Sequence, residues 1–340
     1  MATIGNQWPT LADWASRRDP NGGVARIVES LEKRNPILQD LPMVEGNLDT
    51  GHQITNRAAL PAPTYRRINQ GYASTKSTTD QVIESCSLLE SRSEIDVEHP
   101  GIKAGGAGFR DSEDTAFVQG FNNEIARGIF YNSPLTAIEQ FQGLTPRLDV
   151  TSGNPASGQI IKAYTATNND QASIWLIGFG PSTVYGFFPR GSSGGFSMED
   201  MGKMLVDSSA TRLDASAAGL KFFAWVSRFV WRMGLAVADY RYVARVCNLD
   251  QSVIAGLGFA GEVGIALAME DALAAIFDQD SVNLRFYMNR TTYSQLNKQL
   301  MGKSANLLEW INMGGKRIPA FLGVPIRVTD ALLSTESPVV

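Results

Sequence analysis

The chain has 340 residues, of which 44% are hydrophobic, with 32 Gly and 15 Pro. That is ample material for a core, in one elaborate domain or in two. Its formal net charge of −4 excludes an overall basic field of the kind that grips nucleic acid, though not a locally basic face. No run of roughly 18 apolar residues is present to span a bilayer, and the N-terminus shows no basic-plus-apolar leader, so a soluble product made in the cytosol is expected. The two cysteines, Cys86 and Cys247, have neither metal-ligand spacing nor a paired framework, which suits free thiols in a reducing compartment.

Residues 1–42 read as a polar lead-in. Leu11 to Arg18 can form a helical turn or two. Gly22 to Arg34 has Val24, Ile27, Val28 and Leu31 at helical spacing and is stopped at Asn35-Pro36. Next come His52 to Ala59 and Thr64 to Gln70, two polar strand-like segments flanking the turn-rich Leu60-Pro61-Ala62-Pro63. A hairpin with no apolar face is marginal in water, so it either lies free or rests on another surface, another subunit included. Arg57, Arg66 and Arg67 near its tip suit carboxylates on such a partner. Strand character resumes from Thr78 to Glu98, and a Gly-rich loop covers Gly101 to Gly108.

Phe109 to Asn132 reads as one long helix, roughly 30 Å in length, and organises the rest. Asp111 and Ser112 can cap its first turn, and Asp111, Glu113 and Asp114 suit its positive dipole end. Phe117, Phe121, Ile125 and Ile129 recur every four residues as an apolar stripe, and Asn132-Ser133-Pro134 ends it. The helix holds nothing catalytic.

Residues 141–170 read as loop with short strands. Ser173 to Phe179 is an apolar strand, with Val184 to Pro189 as its partner across the Gly180-Pro181-Ser182 turn. From Lys221 to Met233 the chain alternates: Phe223, Trp225, Phe229, Trp231 and Met233 fall on one face, Arg228 and Arg232 on the other. A long strand with one buried face is expected. Tyr240 to Leu249 can return as an antiparallel strand after the turn at Gly234. Ile254 to Asp278 is helical, with Ile265, Met269, Leu273 and Ile276 on one face. Val282 to Met288 is a strand, Thr291 to Met301 a helix, and Pro319 to Val328 a bent strand or strand pair. This mixture is α+β.

Little of the expected chemistry is specific. Gly256-Leu-Gly258-Phe-Ala-Gly261 spells G-x-G-x-x-G before a helix, as in nicotinamide dinucleotide sites. The preceding apolar run, Val253 to Ala255, is too short for the required buried strand, and Asp278 and Asp280 precede the next strand instead of following it. A closely packed glycine-rich helix start explains the motif better, and no cofactor is expected. Gly101 to Gly108 lacks the phosphate-loop pattern. Asp111, Glu113 and Asp114 lack a cation-loop geometry and read as a charged helix start. The aromatic face from Phe223 to Trp231 reads as sheet core before it reads as a base-stacking platform.

Several stretches in order carry a resemblance. Met1-Ala-Thr-Ile-Gly-Asn with Pro9-Thr10-Leu11-Ala12, Val44 to Leu48 with Thr50-Gly51-His52, and Ser112-Glu113-Asp114 are similar to major capsid proteins of tailed bacteriophages. So are Phe141-x-Gly-Leu144, Ser173 to Leu176, Gly234-Leu235 with Asp239-x-Arg-Tyr-Val243, Tyr287 to Arg290 and Leu322 to Arg327. Together they span almost the whole chain. The resemblance implies the Hong Kong 97 type of capsid fold, with an N-terminal arm (1–45), an extended loop (46–76), and a peripheral domain (77–144) around a spine helix (109–132). An axial domain (145–319) and a C-terminal peripheral strand and tail (320–340) complete it. It implies no enzyme, cofactor or metal. It implies self-association into pentamers and hexamers of an icosahedral virion shell around double-stranded DNA, assembled in the host cytoplasm with a portal and, on separate proteins, scaffolding and a cement protein. An encapsulin-like compartment with protein cargo shares the fold and is the alternative. Some relatives cross-link the extended loop through a lysine. Asp49 to Thr75 contains none, and the first is Lys76, so non-covalent lacing is expected. Arg57, Arg66 and Arg67 on the loop, with Asp111, Glu113 and Asp114 as partners, are the inter-subunit candidates, on charge complementarity alone.

Overall fold

A computed structural model describes residues 8–9, 34–100, 102, 107–153, 155–164, 168–192, 194–207, 221–251, 264–301, 308–313 and 316–339. In chain order its elements are α1 (Ile37–Asp40), β1 (Met43–Glu45), β2 (Gly51–Ala59), β3 (Thr78–Ser85), β4 (Ser87–Asp96), α2 (Ala107–Tyr131), β5 (Ile160–Lys162), β6 (Gln171–Phe179), β7 (Val184–Phe188), β8 (Gly195–Asp207), β9 (Lys221–Val237), β10 (Val243–Asp250), α3 (Ile265–Ala275), β11 (Asn283–Met288), α4 (Arg290–Met301), β12 (Leu308–Met313), β13 (Lys316–Phe321) and β14 (Val324–Val328). The α+β expectation holds. The expected helices within residues 11–34 and the motif Gly256 to Gly261 lie outside the described residues.

The chain forms two compact units. The first comprises Met1–Lys33, Leu88–Ile125 and Gly195–Trp231. The second comprises Arg34–Ser87, Ala126–Gly194 and Arg232–Val340.

In the first unit β9 pairs with β4 and with β8. The apolar stripe of α2 packs on aromatic side chains there. Phe117 stacks on Phe229 at 5.4 Å, and Phe196 meets Phe121 at 5.6 Å and Phe229 at 6.0 Å. The expected single buried face of β9 is only partly right. Phe223 is exposed, whereas Ala224 and Val226, of opposite parity, are buried in a small cluster that Trp8 and Phe222 border. Both faces of β9 thus carry buried apolar side chains, with Phe222 joining Ala224 and Val226 on one and Phe229 lying on the other. β8 was not foreseen. Its Ser197 to Leu205 is mostly exposed, with charged and methionine side chains mixed, and so carries no two-residue hydrophobic period.

The second unit is built on β6, whose nine residues are all buried. The uninterrupted run SIWLIGF is what a strand covered on both faces requires. β10 runs antiparallel along one edge and β11 along the other. β11 continues to β14 in parallel, then through antiparallel β13 to β12. On one face Ile174, Leu176, Val246 and Phe286 pack with Ile265, Met269 and Leu273 of α3 and Leu296 of α4, so the helical face expected for α3 is the buried one. Each such side chain contributes about 1.5–3 kcal/mol by leaving water. Trp175 and Tyr287 instead meet Phe130 of α2, at 6.1 and 6.2 Å.

Three expected strand pairings change. Thr64 to Gln70 is not a strand: β2 pairs with β3, with residues 60–77 between them. Pro61 and Pro63 precede that segment, and Asn69 has φ 68°, whereas β3 offers Thr78, Thr79, Val82 and Ile83. β7 is no hairpin partner of β6. The two meet only at Phe179 and Val184, and β7 instead runs antiparallel to the end of β9, from Val184–Val237 to Phe187–Gly234, and parallel to β1. β10 returns antiparallel to β6, not to β9. Leu322 and Gly323, at φ 47° and 81°, form the tight turn between β13 and β14 with the left-handed backbone such hairpins need.

Candidate inter-subunit surfaces

The β2–β3 hairpin is pinned at its root and bare at its tip. Ile54 enters a small cluster with Tyr185, Phe187 and Ala236, so the root has an apolar anchor that the polar reading of this stretch overlooked. His52 lies opposite Glu84 in the strand register. The Asn47 N–H donates to His52 Nδ1 at 3.3 Å, which leaves Nε2 to carry the ring proton and donate to the Tyr185 hydroxyl at 3.0 Å. The ring is bracketed by Tyr185 and Phe187. Burial pulls the His52 pKa below the ordinary histidine value, against an opposing pull from the Glu84 carboxylate. Glu84 is itself gripped by Arg147 at 2.6 and 2.7 Å, and that guanidinium also donates to the carbonyls of Gln142, Gly143 and Leu235. Asn56 donates to the Ala238 carbonyl at 3.0 Å.

Beyond the root, Leu60 to Ser77 is exposed at every position, including Leu60, Tyr65, Ile68 and Tyr72. The three candidate arginines are exposed as well. Arg57 borders a polar hollow with Asp239, Tyr240 and Arg241. Arg66 donates to the Gln70 carbonyl at 3.2 Å, and the Arg67 carbonyl accepts from the Gln70 N–H. Among the described residues no carboxylate pairs with any of the three.

The three candidate acids separate. The helix begins at Ala107, so Asp111 and Ser112 sit within it and do not cap it; Thr115 donates to the Asp111 carbonyl as any second-turn hydroxyl does. Asp111 is exposed and Glu113 half-buried. Asp114 is buried in its own unit. It accepts from the Ser227 hydroxyl at 3.0 Å and lies 3.8 Å from Arg110, and burial raises its pKa. It is therefore not presented to a neighbour's arginine. Arg110 also grips Asp200 at 2.6 and 3.2 Å, which holds that carboxyl below the usual range. The acids foreseen from the sequence thus reduce, at the surface, to Asp111 and Glu113.

On the first unit Leu89, Ala116, Phe117, Gly120 and Phe121 line an apolar groove of about 350 Å³, edged by Glu90 and Glu124. Sequence reading missed it because its two walls, β4 and α2, are distant in the chain. The same distance hid Glu84, Arg147 and Asp200. Among the described residues no group of His, Cys, Asp and Glu is placed to hold a metal ion, and no helix is long and apolar enough to cross a membrane.

The family model for major capsid protein GP7 matches residues 19–340. The structure of bacteriophage Epsilon15 is 32% identical, with a TM-score of 0.80, covering 100% of this chain and 99% of that one. The bacteriophage JBD30 capsid is 10% identical at a TM-score of 0.47, covering 90% and 91%. The SrpI encapsulin of Synechococcus elongatus is 11% identical at 0.42, covering 71% and 97%. At those scores the last two add nothing to the assignment. No curated protein matches.

Proposed function

Since the chain belongs to the major capsid protein GP7 family of phages, we propose that its copies assemble as pentamers and hexamers into the icosahedral shell of a phage head around double-stranded DNA. The observation that carries the reading is the β2–β3 hairpin, fixed at its root and carrying Leu60, Tyr65, Ile68 and Tyr72 into solvent at its far end. Apolar side chains held out in this way gain by burial against another chain. The extended loop, residues 46–76, lies over a neighbouring copy. There its tip meets the groove beside α2, and Arg57, Arg66 and Arg67 face acids of the same helix, Asp111, Glu113 and Glu124.

The arm is residues 1–45 and the peripheral domain residues 77–144. The axial domain is residues 145–319, and the tail follows from 320. With no lysine between Asp49 and Thr75, the loop laces without covalent bonds. Scaffolding, portal and cement functions reside on other proteins, and assembly takes place in the host cytoplasm. The net charge of −4 suits a container that does not grip its DNA. The role is structural, not enzymatic, and a 32% identity across the whole chain to a phage structure favours a virion shell over a compartment for protein cargo.

Electron microscopy of the purified assembly tests this. Large closed shells built from five- and six-fold clusters are expected, and small discrete particles overturn it. On a denaturing gel the shells should run as single subunits; ladders of covalent multimers would contradict the lacing.

A further inference from the structure

Directly after α2 the chain makes a compact loop whose two apolar side chains have no cover. Leu135 is 97% and Ile138 87% exposed. The loop that carries them is fastened by its own hydrogen bonds. The N–H groups of Thr136 and Ala137 donate to the Ser133 carbonyl, at 3.0 and 3.1 Å, and Gln140 to that of Ala137 at 3.0 Å. Ser133 N–H donates to the Gln140 side chain and Leu135 N–H to the Ser133 hydroxyl, both at 3.3 Å. Its return is tied to the helix end, Gly143 N–H to Asn132 and Leu144 N–H to Ile129. Leu135 and Ile138 are thus presented as a preformed knob, and little ordering cost remains to be met on binding.

In the same unit the next stretch of chain forms one wall of a groove of about 330 Å³. Leu144 and Leu148, both buried, lie in it, with Pro146, Val237 and Val243 beside them and the half-exposed Val82 and Tyr240 at its mouth. The only charges among its lining residues, Glu84 and Arg147, are paired with each other. Asn56 and Gln142 also line it, but its aliphatic wall suits two branched aliphatic side chains.

We propose that the Leu135–Ile138 knob of one copy seats in the Val82–Leu144–Val237 groove of a second copy. The occupant is a second copy because the apolar knob and the largely aliphatic groove are two different, complementary patches that every subunit carries. Such a heterologous contact closes into a ring when repeated around a local rotation axis, each copy giving one knob and receiving one. The proposal rests on the self-assembly reading above and adds a contact distinct from the extended loop.

Two measurements on the full chain test it. In the Leu135→Cys/Val82→Cys double variant, oxidation of assembled particles should give covalent dimers and higher multimers on a non-reducing gel, with neither single variant doing so. Normal particles without such multimers overturn the contact. In the Leu135→Asp/Ile138→Asp variant the subunit should keep the circular dichroism of the parent, both positions being exposed, while shell yield falls at least tenfold. Unchanged yield overturns the contact too. Failure of the parent chain itself to form closed shells would count against the self-assembly reading, so the two failures are separable.

Discussion

Arg147 closes on Glu84 with both arms of its guanidinium, at 2.6 and 2.7 Å, and so clamps the root of the hairpin to the segment that follows α2. Glu84 is 4% exposed, and breaking a buried pair from one side leaves the other charge stranded. Arg147→Ala should therefore cost about 3–5 kcal/mol, read as a fall in the thermal midpoint of the unassembled subunit. Glu84→Gln, which keeps the shape and one of the two acceptors, should cost less. Equal small losses for both would mean the clamp holds nothing.

Acid should loosen the same root. His52 takes up its proton less readily in the folded chain than in the unfolded one, because burial outweighs the pull of Glu84. The unfolded state then binds more protons as pH falls below about 6.5, so stability present at neutral pH is lost toward the lower folded value. Protonation at Nδ1 also opposes the N–H of Asn47 that donates to it. The Glu84 carboxylate is the charge that acts on the ring, and the Tyr185 hydroxyl beside it stays neutral throughout this range. Denaturant midpoints at pH 7.5 and 5.5 should differ in the parent and converge in His52→Gln.

Gly143 has no room for a side chain. A Cβ there would lie 2.8 Å from the Gly128 carbonyl oxygen and 3.0 Å from the Asn132 nitrogen and the Ile129 oxygen, all backbone. Gly143→Ala should cost about 1–3 kcal/mol and speed amide exchange in the last turn of α2. Gly120, on the same helix with open space around it, gives the contrast: Gly120→Ala should stabilise the free subunit by about 1 kcal/mol.

The C-terminal segment is stitched into the second unit at several points, of which Glu336 and Val339 give the sharpest contrast. Glu336 accepts from Arg245 at 2.8 Å and from the hydroxyls of Tyr131 and Ser173. Asn248, in the left-handed region at φ 57°, exchanges hydrogen bonds with the backbone of Val339 at 2.8 and 2.9 Å. Glu336→Ala strands a guanidinium that is 2% exposed and should cost about 3–5 kcal/mol. Asn248→Ala, which removes neutral bonds only, should cost about 1–3 kcal/mol. Chemical denaturation of the two variants checks the ranking.

What could be read in advance followed from local periodicity. The α2 stripe, the unbroken apolar run of β6 and the buried face of α3 are each set by neighbours a few residues away. Strand pairing was not legible in that way: nothing local says that Gly51–Ala59 takes Thr78–Ser85 and not Thr64–Gln70, or that β10 returns to β6. The inter-subunit candidates show the same limit. Asp111 and Asp114 look alike in the sequence, yet one is exposed and the other is held by Ser227, more than a hundred residues on. Arg147 with Glu84 and Arg245 with Glu336 carry no spacing signal at all, because burial, not sequence interval, makes them pairs. The family, by contrast, was legible because its signal is the order of many weak motifs along the chain.

Glu336 also sets an order of events. Synthesis runs from the N-terminus, so the carboxylate that neutralises Arg245 emerges after every strand around it has been made. Until then the buried Arg245 guanidinium has its hydrogen bonds to Ser173 and the Leu148 carbonyl but no counter-charge. A subunit truncated before Glu336 should therefore be less stable than the full chain, and chemical denaturation of the two would show the difference.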